Sequence, residues 1–572
     1  MVPETHEEFD VIVAGSGAGG LSTAITAASE GLTVLVVEKS DKFGGTTSRS
    51  GGWIWIPNNS QAKREGIDDS VEKARAYIEA ETGNHFDAER VDAFLRAGPE
   101  MVDWFESNTE MTFTLGSYFS DYHPEQPGGL TGGRSLNADP VNRSILGENA
   151  PRLAPPLPEA TFMDMMVGSN LELKHFFEAF RSFKSFGYVG FLLARFGYEK
   201  LRYGQAMRLT NGTAMAARLA KSAFDKGIEI RTSTALKDLV ITDGRVSGVV
   251  VEGKAGKQTL NARRGVVLAT GGFPFDLEMR KKLYRHAPTG EGHFSPANPY
   301  NTGDAMRITA PLGAAVAEGY KQPAAWCPVS LVPRKDGTIG TFPHFVDRGK
   351  PGVIAVLKNG RRFVNEANSY HDYGLGLIAA HDGEGTAESW LIIDHPTLRH
   401  YGLGHVKPFP IPLGPALRSG YLMRGKTLRE LAKVAGIDPD GLEKTVNNFN
   451  HHARTTGEDP EFGRGTTGYN RYLGDPENKP NPCVKPIENG PFYAIRVVLG
   501  DLGSFVGHRT DASARVLDTN GQVIPGLFAV GNDAASIFGG NYSGGGITLG
   551  PAMTFGYIAG RELARTTPVA AS

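Results

Sequence analysis

The chain has 572 residues, of which 40% are hydrophobic and 21% are charged, and its formal net charge at pH 7 is -2. This length exceeds what one hydrophobic core usually serves, so two domains are expected. The balanced charge gives no sign of a nucleic-acid partner. Two cysteines, Cys327 and Cys483, form neither a metal-ligand spacing nor a disulfide framework, which favours a cytoplasmic protein without a metal site.

The sequence predicts neither a secretory signal nor a transmembrane span. The first residues, MVPETHEEFDVIV, carry acids where a signal peptide carries bases and an apolar core. The longest apolar windows, such as residues 186–198, are too short and too interrupted to cross a bilayer.

Residues 9–40 predict a strand, a glycine turn, a helix and a second strand. Gly15, Gly17 and Gly20 complete the pattern G-x-G-x-x-G, and Glu38 ends the second strand. The first glycine allows the tight turn, the second admits a pyrophosphate to the helix N-terminus, and the third lets helix and strand pack closely. An acid at the end of the second strand suits ribose hydroxyls. The segment therefore predicts a dinucleotide site.

Three further glycine-rich segments follow. Residues 42–57, KFGGTTSRSGGWIWIP, form a loop of glycines and hydroxyl groups that suits a flavin. Residues 261–275 and 526–536 each predict a buried strand that runs into polar residues and glycines. Each piece alone is compatible with an ordinary loop. In this order they resemble the FAD-binding domain of the fumarate reductase and succinate dehydrogenase flavoprotein superfamily.

The resemblance implies an extended FAD, with its adenine end at Glu38 and its ring end near Thr46, Thr47 and Asn532. Because the loop GGTTSRSGG contains no histidine to bond the ring, we expect the FAD to be non-covalent. The predicted cofactor-binding residues are Gly15, Ser16, Gly17, Ala18, Gly20, Glu38, Lys39, Gly45, Thr46, Thr47, Ser50, Gly51, Gly52, Ala235, Leu236, Ala269, Thr270, Gly271, Asn301, Gly303, Asp304, Gly531, Asn532, Gly546, Thr548 and Leu549.

The fold class that this resemblance implies is α/β, with a discontinuous Rossmann-like FAD-binding domain and an inserted α+β catalytic cap domain. We expect the FAD-binding domain to comprise residues 1–328 and 501–572, and the cap to comprise residues 329–500, which places the site in an interdomain cleft. Residues 150–212 are rich in Phe, Met, Lys and Arg. They predict either a helical excursion that packs on the FAD-binding domain or a basic amphipathic surface in peripheral contact with a membrane or partner.

Within this superfamily the cap decides the chemistry. Residues 360–373, GRRFVNEANSYHDY, resemble its cap strand and loop, G-x-R-F-x-N-E. The reductases carry a proton-donating arginine four residues after the glutamate, and here Tyr370 stands four residues after Glu366. RGKPG at residues 348–352 replaces their RGEGG-like stretch. A fumarate reductase is therefore disfavoured.

Tyr370 instead matches the catalytic tyrosine of the 3-ketosteroid Δ1-dehydrogenases. Residues 120–136 and 541–557 also resemble segments of that family, and the likeness covers nearly the whole chain. A sister group that desaturates C4–C5 carries serine where Gly544 stands, which favours the Δ1 reaction. DLGSFVGHRTD, residues 501–511, departs from the family's usual T-K-G-G run. The catalytic residues that this resemblance implies are Tyr122, Tyr370, Tyr542 and Gly546.

The implied mechanism is an enolate route. Tyr542 and the Gly546 N–H would polarise the C3 carbonyl, the Tyr370 phenolate would take the C2 proton, and hydride would leave C1 for flavin N5. Ionising a free phenol at pH 7 costs about 4 kcal/mol, which a hydrogen bond from Tyr122 would partly offset. A helix from about Ile547 would direct its dipole at the flavin ring.

The expected partners are a 3-ketosteroid substrate and an unknown electron acceptor, a quinone or similar compound. His123 and His371 each adjoin a predicted catalytic tyrosine and are candidates for a direct role. Two alternatives stay open: a flavin-dependent dehydrogenase or reductase of another cyclic ketone or enone, and a non-catalytic flavin electron carrier.

Overall fold

The computed structural model describes residues 7–169, 171–179, 181–381, 383 and 385–568; the first six residues of the N-terminal segment lie outside this part. The strands are β1 Glu7–Ala14, β2 Val34–Val37, β3 Trp53–Trp55, β4 Phe113–Leu115, β5 Ser135–Ala138, β6 Val141–Asn142, β7 Arg208–Leu209, β8 Glu229–Arg231, β9 Ala235–Thr242, β10 Arg245–Gly253, β11 Gly256–Leu268, β12 Ala324–Pro333, β13 Ile339–Pro343, β14 Val353–Val356, β15 Glu388–Asp394, β16 Met423–Gly425, β17 Phe492–Ser504, β18 Arg515–Leu517 and β19 Val523–Ala529.

The helices are α1 Ala18–Ser29, α2 Ser60–Arg64, α3 Val71–Thr82, α4 Ala88–Asn108, α5 Leu171–Phe177, α6 Phe183–Tyr203, α7 Asn211–Asp225, α8 Leu277–Leu283, α9 Asp304–Thr309, α10 Tyr370–Ala380, α11 His395–Tyr401, α12 Gly414–Arg418, α13 Leu428–Ala435, α14 Pro439–Thr455, α15 Gly468–Leu473 and α16 Leu549–Arg565.

The first sheet has the order β18-β19-β11-β1-β2-β8, and β10 and β9 extend it from β11. β1 pairs in parallel with β11 and β2, and β11 pairs in parallel with β19. Val11, Ile12 and Val13 have no exposed surface, as expected for a parallel strand covered on both faces. The predicted strands of residues 9–40, 261–275 and 526–536 are therefore neighbours, and their glycine turns meet at one edge of the sheet.

The second sheet is antiparallel, with the order β13-β12-β17-β15-β14 and with β16 paired to β17. Its first and last strands in the chain, β12 and β17, lie side by side. The predicted cap boundaries at residues 329 and 500 fall inside these two strands. An inserted α+β domain thus stands on a sheet whose central strands are parallel, which is the predicted architecture.

Residues 150–212 contain the helices α5 and α6. The Phe177 ring at the end of α5 packs on Tyr401 with ring centroids 6.1 Å apart, and the Lys350 ammonium lies 5.3 Å from the Phe177 centroid. The segment also packs on the first domain, as the sequence predicted: the Ala154 N–H donates to the Phe43 carbonyl at 2.8 Å, and the Trp53 indole donates to the Ser169 hydroxyl at 2.9 Å. It therefore contacts both domains. Among the described residues, no helix is long and apolar enough to cross a membrane.

Candidate active site

A cavity of about 790 Å³ extends from the glycine turns of the first sheet to the second domain. The predicted FAD residues line it, with two exceptions: Ala235 and Gly303. Ala235 lies in the β9–β10 ladder opposite Glu252. A side chain added to Gly303 would point at the Asp276 carboxylate, at 2.7 Å, so this glycine faces the protein. Their neighbours Thr234, Leu236 and Asp304 line the cavity beside them.

The glycine turn after β1 leaves room for a ligand at one position only. A Cβ added to Gly15, which has φ +115°, would lie 2.0 Å from the Ala269 carbonyl oxygen, and one added to Gly20 would lie 2.0 Å from the Gly15 oxygen. A Cβ on Gly17 would meet only the Thr47 hydroxyl, at 3.6 Å. The first turn of α1 has no side-chain cap and no acid. This cradle fits an anionic pyrophosphate.

The end of the groove that is predicted to hold the adenine half of FAD is built around Glu38. Its carboxylate accepts hydrogen bonds from the Ser16 N–H at 3.0 Å, the Ser16 hydroxyl at 2.6 Å and the Ser40 N–H at 2.8 Å. Burial raises the pKa of Glu38. The carboxylate is held at the end of β2, the position from which an acid contacts ribose in this fold.

The other end of the groove is polar. The Thr46 hydroxyl accepts hydrogen bonds from the Asn298 N–H at 3.1 Å and the Asn301 amide at 2.9 Å. Arg49, which the sequence analysis missed, donates to the Ala297 carbonyl at 2.8 Å, and burial lowers its pKa. Among the described residues that line the cavity there is no histidine or cysteine.

Helix α16 begins at Leu549, two residues beyond the predicted start, and its first turn carries no acid. Its N-cap, Thr548, makes no side-chain capping bond and lines the cavity with Leu549. The N-terminal partial positive charge of this helix therefore faces the groove, where it would stabilise negative charge on a bound flavin.

Three tyrosines from distant parts of the chain meet in the cavity. The Tyr122 hydroxyl donates to the Tyr370 hydroxyl at 3.1 Å. The Tyr542 ring stacks on Tyr122 with centroids 5.7 Å apart and meets Tyr370 edge-on at 4.9 Å. Burial raises the pKa of Tyr122 and of Tyr370 well above the usual phenol range, and it raises the pKa of Tyr542 to about 12.

Tyr370 is the first residue of α10, and an ion-pair network holds the loop before it. The Glu366 carboxylate accepts from Arg362 at 2.8 Å, from Arg464 at 3.0 Å and from the Ala355 N–H at 3.0 Å. The resemblance implied a strand and a loop at residues 360–373, but β14 ends at Val356 and residues 360–369 form no strand. The buried Glu366 carboxylate instead ties the loop to Ala355 of β14 and to the two arginines. The network fixes the start of α10 and hence the direction of the phenol.

Tyr122 is fixed by the glycine segment that carries Tyr542. The Tyr122 N–H donates to the Ser543 carbonyl at 3.0 Å. The neighbouring Asp121 carboxylate accepts from the Trp55 indole at 2.8 Å and from Arg134 at 2.8 Å. All of these side chains are buried. The loop is therefore anchored on both sides of the tyrosine.

The two histidines beside the tyrosines have different roles. His123 bridges the carboxylates of Glu81 and Asp372 at 2.9 and 3.0 Å. His371 Nδ1 accepts a hydrogen bond from the Trp326 N–H at 3.1 Å, and burial lowers its pKa to about 4. His371 is therefore neutral, with no free lone pair for the cavity.

The glycines after Tyr542 are shaped by their neighbours. A Cβ on Gly544 would lie 2.8 Å from the Trp55 indole, so a serine has no room there. Gly546, with φ +101°, would place a Cβ 2.6 Å from the Ile54 carbonyl carbon. Gly546 lines the cavity, and no described residue accepts its N–H. That N–H is available to a ligand oxygen.

Sequence reasoning missed several residues of the substrate side. The Tyr469 ring lies 4.5 Å from that of Tyr122, and the Phe345 ring lies 5.1 Å from that of Tyr370. Phe342, Val406 and Lys407 also line the cavity. No local pattern identifies them, because they reach the site through tertiary contacts. Among the described residues no cluster suits a metal ion.

Comparison with known proteins decides the family. The model of the family described as "FAD binding domain" matches residues 10–549. A 3-oxosteroid 1-dehydrogenase of Mycolicibacterium smegmatis is 38% identical, over 98% of this chain and 98% of its own. The crystal structure of the 3-ketosteroid Δ1-dehydrogenase from Sterolibacterium denitrificans in complex with 1,4-androstadiene-3,17-dione is 35% identical, with a TM-score of 0.90, over 98% and 100% of the chains.

The chain belongs to the 3-ketosteroid Δ1-dehydrogenase family of FAD-binding flavoproteins. The predicted family, the α/β fold class with its cap domain and the cofactor FAD are thereby confirmed. The protein is an FAD-dependent oxidoreductase. The chain is also similar to an enzyme with a different substrate. A 4-oxocyclohex-2-ene-1-carboxylate 5-dehydrogenase of Sinomonas cyclohexanicum is 40% identical over 97% of this chain and 94% of its own.

Proposed function

We propose that the protein catalyses the FAD-dependent 1,2-desaturation of 3-ketosteroids. The observation that carries this proposal is the meeting of Tyr122, Tyr370 and Tyr542 in a cavity that continues into the FAD groove. Removing hydrogen from an unactivated CH–CH bond requires a neighbouring carbonyl, donors to its oxygen and a base for the proton. The three phenols and the Gly546 N–H supply these groups.

We assign the roles from the hydrogen-bonding capacity of each group. Tyr542 and the Gly546 N–H bind the C3 oxygen and stabilise the enolate that forms there. Tyr370 takes the C2 proton, and Tyr122 stabilises the phenolate through the hydrogen bond that it donates at 3.1 Å. FAD bound in the groove lined by Gly17, Glu38 and Thr46 would supply the acceptor for the C1 hydride. In this assignment the tyrosine cluster acts at C2 and C3 of the substrate, and the flavin groove lies at the neighbouring carbon C1.

The walls of the cavity support a large apolar substrate. Aromatic and aliphatic side chains of both domains and of residues 150–212 line it, among them Phe119, Leu157, Val189, Phe345, Leu403 and Ile411. Apolar burial of a multi-ring substrate supplies binding energy at about 25 cal/mol per Å². A smaller carboxylated cyclic ketone is the second candidate, because the relative from Sinomonas cyclohexanicum acts on one.

Anaerobic titration tests the function. The flavin should bleach with androst-4-ene-3,17-dione, and mass spectrometry should show the 1,4-diene product. Bleaching by 4-oxocyclohexanecarboxylate but by no steroid would favour the second candidate. A flavin that no ketone reduces would overturn both and leave an electron carrier.

We propose that helix α6 rests on a lipid surface. Its Phe183 is fully exposed and its Leu201 is 91% exposed, while Phe191 and Tyr198 also face solvent. Lys200 and Arg202 lie at the same end as Leu201, as in interfacial helices. Val189 and Leu193 of this helix line the cavity, so a sterol or a quinone-like acceptor would pass from lipid to the site.

Vesicle binding tests this contact. The protein should sediment with vesicles of phosphatidylcholine and phosphatidylglycerol, and the double variant Phe191→Ser, Leu201→Ser should remain in solution. Ile339→Ser, which changes an exposed residue of the second domain, is the matched control. Equal sedimentation of all three proteins would refute the contact. Reoxidation of the reduced flavin by menadione tests the acceptor.

A further inference from the structure

We infer that Lys407 is a specificity-determining residue that binds an oxygen acceptor, carboxylate or ketone, at the end of the substrate remote from the reacting carbonyl. The inference rests on the proposed function, because it concerns the same cavity. It adds a second polar contact to a substrate otherwise held by apolar walls.

The position of Lys407 follows from its neighbours. The Phe345 ring packs on Tyr370 with centroids 5.1 Å apart. Phe342 precedes Phe345 by three residues, a length of chain that spans at most about 10 Å. The Lys407 ammonium lies 5.8 Å from the Phe342 centroid. Tyr370, Phe345, Phe342 and Lys407 all line the cavity. Neighbouring residues therefore connect the proposed base, Tyr370, to Lys407.

The ammonium has no counter-ion in the described part of the protein. Asp347, the acid whose charge acts on it, forms no ion pair with it: Asp347 Oδ2 bonds His344 Nδ1 at 2.7 Å and the Gly404 N–H at 2.7 Å, and Asp347 Oδ1 has no hydrogen-bond partner among the described residues. Burial lowers the pKa of Lys407 to about 8. Lys407 is half-buried, so its ammonium is only partly solvated, and an oxygen acceptor on a ligand offsets that loss of solvation. The cavity therefore favours a ligand that presents an oxygen acceptor to Lys407.

The chemistry of the group defines the ligand class. An ammonium donates three hydrogen bonds and carries a compact charge, so it binds a carboxylate strongly and a ketone moderately. A steroid with a 3-ketone and an oxygen on ring D presents acceptors at both ends. A cyclohexanone with a carboxylate opposite the ketone presents the same pair over a shorter length. Lys407 can bind the remote oxygen of either substrate class, and the test examines the two classes separately.

The test compares substrates that differ only at the remote end. In the FAD-loaded protein, androst-4-ene-3,17-dione and 3-oxoandrost-4-ene-17β-carboxylate are each compared with androst-4-en-3-one, which has no oxygen on ring D. For the smaller substrate class, 4-oxocyclohexanecarboxylate is compared with cyclohexanone. Flavin reduction gives kcat/KM, and flavin difference spectra give binding even where no turnover occurs. Lys407→Met removes the charge, Lys407→Gln keeps a donor and Lys407→Arg keeps the cation. Lys335→Met, on an exposed turn of the second domain, is the control.

We expect Lys407→Met to lower the preference for the 17-ketone at least tenfold and that for the carboxylate about a hundredfold, mainly through KM. Lys407→Arg should retain most of the preference, and Lys335→Met should retain all of it. An unchanged preference in both Lys407→Met and Lys407→Gln would overturn the inference while leaving the desaturation intact. A different result would overturn the steroid proposal and support the inference: no steroid reduces the flavin of the wild type, 4-oxocyclohexanecarboxylate does, and that reaction is lost when Lys407 is changed.

Discussion

Nε2 of His123 lies 3.0 Å from Oδ2 of Asp372. His123 follows Tyr122 in the chain, and Asp372 lies two residues beyond Tyr370 on α10, so this contact joins the two segments that carry the paired tyrosines. Burial alone would lower the pKa of His123, but hydrogen bonds to Asp372 and Glu81 raise it to about 11. The bridge is thus an imidazolium between two carboxylates.

This bridge should make stability depend on pH. The folded pKa of about 11 lies above the ordinary value of 6.5, so the contribution is fully present below pH 6.5 and declines as pH rises towards 11. His123→Gln should unfold at a lower temperature than the wild type at pH 6, and the difference should shrink by pH 10. His451→Gln, on the exposed face of α14, is the control. A difference that does not change with pH would contradict this.

Tyr370→Phe should retain FAD and ketone binding but lose flavin reduction and exchange of the C2 hydrogen with solvent deuterium. Since burial raises the pKa of Tyr370 well above the phenol range, the wild-type rate should rise with pH into the alkaline region. Tyr373→Phe, one turn further on the same helix, loses only a hydrogen bond with Ser389 and should reduce its flavin normally. Rapid bleaching in Tyr370→Phe, followed by stopped flow, would assign the proton to another group.

Tyr542→Phe should keep its FAD and lose roughly 10²–10³ in the rate of flavin reduction, because one of two donors to the enolate is absent. Ketone binding should also weaken. Tyr557→Phe, on α16 and bonded to Glu100, is a matched phenol outside the cavity and should react at the wild-type rate. Near-normal turnover in Tyr542→Phe would mean that this phenol does not face the carbonyl.

Gly15 and Gly17 should respond differently to alanine. Gly15→Ala forces a clash at 2.0 Å with backbone, so the protein should be destabilised even without FAD. Gly17→Ala meets nothing closer than 3.6 Å and should fold, yet bind FAD at least tenfold more weakly, because the methyl group occupies the pyrophosphate cradle. Thermal unfolding of the apoprotein and FAD titration separate the two effects. Equal FAD affinity in Gly17→Ala and wild type would place the pyrophosphate elsewhere.

Acid or heat should release free FAD from the yellow holoprotein. The reason is chemical: histidine and cysteine are absent from the described residues that line the cavity. Absorbance of the supernatant after precipitation measures the released cofactor. Flavin that stays with the precipitated chain would show a covalent bond.

Local signals predicted most of the residues that line the groove. The turn around Gly15 and the strand end at Glu38 are short-range patterns with a direct steric or hydrogen-bonding cause. The tyrosines came from family resemblance, since nothing in the neighbourhood of Tyr122 shows that it meets Tyr370. Arg49 and Lys407 escaped prediction because their surroundings are assembled from both domains. The resemblance implied a strand and a loop at residues 360–373, and residues 360–369 form no strand; the pattern does not reveal that Glu366 binds two arginines.

The second domain begins and ends on paired strands. Ala324 of β12 is opposite Ser504 of β17 in the ladder, so the two crossings between domains are adjacent. Such a domain can be exchanged by matching one pair of strands, as in natural domain insertions. The exchange would remove Tyr370 while leaving Tyr122, Tyr542 and the flavin groove in place. Recombination between genes at these two adjacent crossings could therefore change the residue that transfers the proton while leaving the flavin-binding domain unaltered.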